Sequence, residues 1–209
     1  APAKAGFEVT DAGFILTEFL LPVCHAGARN TISCAAGHHL AEGRWLADGR
    51  YLDDYTRYWL RGNRGKPQPH FHKYSSWFAA AAYDRYLVNG DRRFVSTLLA
   101  DLVADYNSWD DERRLPAGLF WQYDVSDGME ESISGSRDAR NLRPTINSYM
   151  FGNARAIAAI ARSARRPALA QEFDQKATGL KRLVNDTLWN PTAQFFEVHA
   201  AGAEAGEEV

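Results

Sequence analysis

The sequence predicts an all-α fold assembled from helical hairpins. Apolar residues recur at helical spacing along most of its 209 positions. No segment alternates convincingly at period two, so little sheet is expected. Short turns rich in Gly, Asn, Asp or Arg separate stretches that pair naturally as antiparallel neighbours.

Residues 1–50 are the least periodic part. One or two helices are expected within 12–46, broken near Gly37. "YLDDYTRYWLRG" (51–62) sets Leu52, Tyr55, Tyr58 and Trp59 on one helical face and stops at Gly62. "YSSWFAAAAYDRYLVNGDRRFVSTLLADLVADYNSW" (74–109) reads as two helices folded back at Asn89-Gly90-Asp91. There Gly90 suits a left-handed turn and Asp91 suits the cap of the second helix. "RPTINSYMFGNARAIAAIARSA" (143–164) opens with Pro144 at a first helical position. "PALAQEFDQKATGLKRLVNDTLW" (167–189) follows a short basic turn and completes a second hairpin, with "NPTAQFFEV" (190–198) as a short extended stretch. Between the hairpins, 116–142 is too rich in Gly, Ser and Asp for a helix.

Bulk properties exclude some classes. A net charge of −2 gives no reason to expect nucleic acid or an anionic membrane as partner, and no apolar run approaches the length of a membrane-spanning helix. Aromatics at 12%, with six Trp and nine Tyr, suit either a large core or a sugar-binding cleft. Cys24 and Cys34 can pair or stay reduced, so they do not decide the compartment. Periplasm or secretion is expected ahead of cytoplasm.

The densest chemistry lies in "DVSDGMEESISGS" (124–136), where Asp124, Asp127, Glu130 and Glu131 fall with no basic residue before Arg137. Such a stretch suits a solvated capping loop, a calcium site, a surface for a basic partner, or general acid/base catalysis. Carboxyls held near one another raise each other's pKa, and a proton donor working near neutral pH needs that shift. Calcium loops alternate their ligands more regularly than this one does. His38, His39, His70 and His72 offer imidazoles for zinc, but both pairs fall in expected loops, and no metal or cofactor is assigned.

"DGMEESISGS" followed by "RPTINSYMFGNARAIAAIA", with "EGRWLADGRYLDDYTRYWLRG" and "YSSWFAAAAYDRYLVNGD" upstream, resembles the mannosylglycerate-hydrolase-like glycoside hydrolases. These are six-hairpin (α/α)6-barrel enzymes around glycoside hydrolase families 63 and 142. The resemblance spans about 38–198 and implies that residues 1–209 form the N-terminal half of such a catalytic domain, a fragment whose partner is the remaining half of the same barrel. It implies carbohydrate metabolism or polysaccharide degradation, by inverting hydrolysis of a glycosidic bond in a small oligosaccharide or glycoside. The fragment would be inactive alone.

In that family a Gly-Met-Asp-like segment carries the general acid. Gly128-Met129-Glu130 matches it here, with Glu in place of Asp, and so Glu130 is the expected acid. Glu131 and Asp127 are expected to bind substrate or tune its pKa, while the catalytic base is expected beyond Val209. Arg143 and Asn147, at i and i+4, are placed to meet sugar hydroxyls or orient Glu130, or to cap the helix and pair with the acidic loop. Arg44 and Trp45, Tyr74 and Trp77, and Trp121 are candidate walls of the sugar site. Two alternatives stand beside this reading: a sugar-binding protein without chemistry, and a helical-repeat scaffold for a protein partner.

Overall fold

The computed structural model describes residues 6–10, 13–18, 23, 24, 26–127 and 138–202. Six helices dominate it: α1 (Ser33–Gly43), α2 (Arg50–Arg61), α3 (Phe78–Asn89), α4 (Arg92–Arg113), α5 (Pro144–Ser163) and α6 (Pro167–Leu188). Helices α1, α3 and α5 lie side by side, and α2, α4 and α6 pack behind them. The architecture is the all-α array of hairpins that the apolar spacing predicts.

Local chemistry sets the turns. Gly90 adopts φ +70°, and its N–H returns to the Tyr86 carbonyl, closing α3. The Asp91 carboxylate accepts from Phe94 N at 2.8 Å and opens α4. Pro144 and Pro167 occupy the first positions of α5 and α6, where no intrahelical N–H bond is lost.

The core lies between the two layers, around Trp59, Trp109, Tyr55, Phe78, Phe120 and Phe173, all fully buried. Helix α5 is enclosed by α3, α4 and α6. That explains why Ala154, Ala156, Ala158 and Ala161 are buried on several of its faces. Small side chains there let neighbouring backbones approach closely.

Strands are few and short among the described residues. β1 (Gly6–Thr10) and β2 (Gly13–Thr17) form an antiparallel hairpin lying against α2. β3 (Trp121–Tyr123) and β4 (Arg140–Leu142) pair antiparallel. Further along, β5 (Trp189–Asn190) and β6 (Phe195–Phe196) make a two-rung hairpin, and β7 (His199–Ala200) adds to the far edge of β4.

Of the N-terminal expectation, one helix does fall within 12–46, as α1, and the rest needs correcting. Residues 13–17 are extended rather than helical, because Gly13-Phe-Ile-Leu-Thr is a short apolar run that docks Phe14 on Tyr51 at 4.4 Å and buries Ile15. Nor does Gly37 break a helix: α1 passes through it unbroken. The glycine is there for space, since a Cβ at position 37 would sit 2.9 Å from the Trp77 indole.

Candidate active site

The starts of α1, α3 and α5 meet at one end of the array. Tyr74 N, four residues before α3, donates to Ser33 Oγ at the start of α1 at 3.3 Å. Ser75 N donates to the Ser126 carbonyl at 2.9 Å. The chain between β3 and α5 is thereby drawn over the helix ends.

At the centre are two buried carboxylates and one buried guanidinium. A 3-10 turn over Asp124–Ser126 puts Asp124 and Asp127 three positions apart, which in that geometry aligns their side chains. Arg143, at the N-cap of α5, donates through Nε to Asp127 Oδ2 at 2.8 Å and through Nη1 to Asp124 Oδ1. Asn141 Nδ2 also donates to Asp124 Oδ1, at 2.9 Å. The Ser75 hydroxyl donates to Asp127 Oδ1, and Thr145 adds a further hydrogen bond. All three charged groups are at most 3% exposed.

Burial pushes the Asp127 carboxyl above its ordinary range, and the hydrogen bonds from Ser75, Arg143 and Thr145 offset only part of that. With both carboxylates ionised the group keeps a residual negative charge against its single guanidinium. The same effects reach Tyr149, one turn beyond Thr145. Burial first, then Asp127 and Cys34, push its hydroxyl upward. Half-buried Tyr149 on α5 stands beside Asp127 and Cys34 of α1, and Trp77, before α3, is half-buried against α1. Exposed His38 on α1 meets Trp77 edge-on, with ring centroids 5.3 Å apart. The end of the array thus holds a buried carboxylate clamp with half-buried Cys34 and Tyr149 next to it.

A family model, the mannosylglycerate hydrolase MGH1-like glycoside hydrolase domain, matches residues 28–207. The chain belongs to that family. A solved structure described as a sialidase is similar to this MGH1-like domain, with a TM-score of 0.88 and 45% identity over 92% of the chain. The match spans 18% of that protein's length, so the domain corresponds to less than a fifth of it. No protein with a curated description matches.

In this MGH1-like domain the sequence-predicted residues do not all converge. Asp127 and Arg143 form the centre, realising the ion pair between the acidic loop and the start of α5. Glu130 and Glu131 lie outside the described residues. Trp77 and Tyr74 stand at the same helix ends, with Tyr74 half-buried under the Lys73 ammonium at 5.3 Å.

Asn147 is at the centre but is structural. Fully buried, it accepts from Phe120 N at 2.8 Å and donates to the Phe120 and Arg143 carbonyls. Its amide is thus engaged with the backbone rather than turned toward a sugar. Arg44 and Trp45 lie at the opposite end of α1. There the guanidinium stacks over the indole at 5.2 Å, and Trp45 is 69% exposed. Trp121 and Tyr123 share one face of β3, while Gln122 is buried on the other. Trp121 is covered by Arg113 at 4.3 Å and flanked by Arg140 at 4.8 Å.

The four histidines have separate partners. His39 pairs with Glu18 and Tyr55, His70 with Thr31, His72 with Asp105 and Glu112, and His38 with Trp77. No group of three metal-ligating side chains forms among the described residues. Sequence reasoning missed Ser75 and Asn141.

Proposed function

We propose that this domain supplies the acid-bearing part of an inverting glycosidase that hydrolyses a glycosidic bond in a small oligosaccharide or glycoside. Glu130 is the general acid in this reading. The rest of the protein contributes the base and the remaining hairpins of an (α/α)6 toroid. The supporting observation is the clamp of Arg143 on Asp124 and Asp127, which ends three residues before Glu130. It fixes the chain where the acidic stretch begins. Its residual negative charge raises the pKa of a carboxyl held nearby, as a proton donor at neutral pH requires.

The chemistry assigned is protonation of the departing glycosidic oxygen by Glu130. A second carboxylate takes a proton from water on the opposite face of the sugar, roughly 6.5–9.5 Å away. Trp77 and Tyr74 offer rings to the C–H faces of the sugar. In the complete protein, Glu130→Gln is expected to reduce aryl-glycoside turnover by about a hundredfold or more while circular dichroism and Tm stay unchanged. Undiminished turnover would refute the assignment. Sugar binding without turnover in the parent protein would support the non-catalytic lectin reading instead.

A further inference from the structure

From the far face of the β3–β4 ribbon we infer a second carbohydrate site, selective for acidic glycans and separate from the carboxylate clamp. This inference rests on the glycosidase reading only for the kind of ligand; the geometry stands by itself. Trp121 and Tyr123 project from the face of β3 opposite buried Gln122, and Arg140 is the register partner of Tyr123, so it shares their face. Arg113, the last residue of α4, lies over the Trp121 ring at 4.3 Å and near Tyr123 at 5.6 Å. Arg140 approaches the same Trp121 ring at 4.8 Å.

A guanidinium lying on an aromatic ring commits its face to the ring. Its in-plane N–H donors stay available for forked bonds to a carboxylate or sulfate. Arg113 Nη1 is buried and has no hydrogen-bond partner. Leaving a charged donor in that state is costly.

Electrostatics agree. Burial pulls the Arg113 guanidinium below its usual range; Glu112 and Tyr123 oppose this, and Arg140 adds a like charge. Glu112 is itself occupied by His72 at 3.0 Å. Two cations therefore share one indole, and neither forms an ion pair with a carboxylate among the described residues. An anion held on the exposed Arg140 relieves the repulsion, and Trp121 and Tyr123 give the attached sugar ring an apolar edge.

The test is binding of three oligosaccharides of equal length by the complete protein carrying Glu130→Gln, followed by calorimetry. They are an oligogalacturonate, its methyl ester and a sulfated neutral oligosaccharide. The oligogalacturonate should bind at least about tenfold more tightly than its ester, and added salt should weaken it. Arg140→Gln, an exposed change that leaves the fold intact, should remove most of that preference, and Arg113→Gln with Arg140→Gln all of it. Equal binding of acid and ester, or full binding by the double variant, would overturn the site. Binding of the sulfated chain alongside the uronate supports recognition of charge; its exclusion supports a fork shaped for carboxylate. On the Glu130 background competent for catalysis, the double variant should keep its turnover of neutral aryl glycosides. If the parent protein cleaves no glycoside, the proposed function fails while this site is still judged by binding.

Discussion

Arg143 Nε donates to Asp127 at 2.8 Å while its Nη1 donates to Asp124, so one guanidinium, 3% exposed, holds both ends of the 3-10 turn that leads into residues 128–137. Removing it leaves two carboxylates buried without their counter-charge. Breaking a buried pair from one side costs about 3–5 kcal/mol. Arg143→Ala should therefore lower stability by that order in denaturant melts. Arg143→Lys keeps the charge but cannot fork to two acceptors, and it should recover less than half of the loss. Full recovery by Lys would mean that charge alone matters and the fork does not.

Asn147 makes a related argument without charge. Its amide exchanges hydrogen bonds with both backbone atoms of Phe120 and caps the Arg143 carbonyl, tying α5 to the entry of β3. Asn147→Ala leaves buried backbone groups unpaired, at about 1–3 kcal/mol each. A loss of roughly 2–4 kcal/mol is expected, with the KM of the complete protein in the proposed hydrolysis unchanged. A raised KM with normal stability would return Asn147 to the sugar.

How much of this was legible in sequence depends on range. The helices follow from apolar spacing, and the α3–α4 turn from Asn89-Gly90-Asp91, because those signals are local. The ion pair of Arg143 with the acidic loop was legible too, as one of two roles open to an arginine at the start of a helix. Ser75 was not: it reaches Asp127 from 52 positions away, and a serine carries no mark of such a partner. For Trp121, a three-residue strand is too short to display its alternation, so the sequence does not tell which face of β3 it takes. Motif order brought Arg44 and Trp45 to α1 but does not tell which end of a helix faces the site.

His72 gives the domain a pH dependence. Its Nε2 faces Asp105 at 2.8 Å and its Nδ1 faces Glu112 at 3.0 Å, and its ring lies 4.4 Å from Trp109. Burial pulls the imidazolium down, but the two carboxylates outweigh it and the net shift is upward. Only the protonated ring donates to both. A group whose pKa is raised on folding stabilises fully below its unfolded value, about 6.5. That contribution is lost as pH rises through the folded value. Melting temperatures should show the parent losing its advantage over His72→Gln as pH rises above about 6.5. An advantage that instead grew with pH would reverse the assigned charge state.

Gly37 sets two effects of similar size against each other. Replacing a glycine inside α1 by alanine gains about 1 kcal/mol of helix propensity. Against this, the new Cβ would stand 2.9 Å from Cε2 and Nε1 of Trp77, a distance real contacts do not reach. Trp77 is half-buried and meets His38 edge-on, so it has to shift for the methyl to fit. Overpacking of this kind costs about 1–3 kcal/mol, which exceeds the propensity gain. Gly37→Ala should be net destabilising and should raise KM for glycoside through the displaced ring. A double-mutant cycle with Trp77→Leu isolates the clash: once the indole is gone, Gly37→Ala should turn neutral or stabilising. A stabilising Gly37→Ala in the parent would show that Trp77 moves freely and does not form a fixed wall beside the clamp.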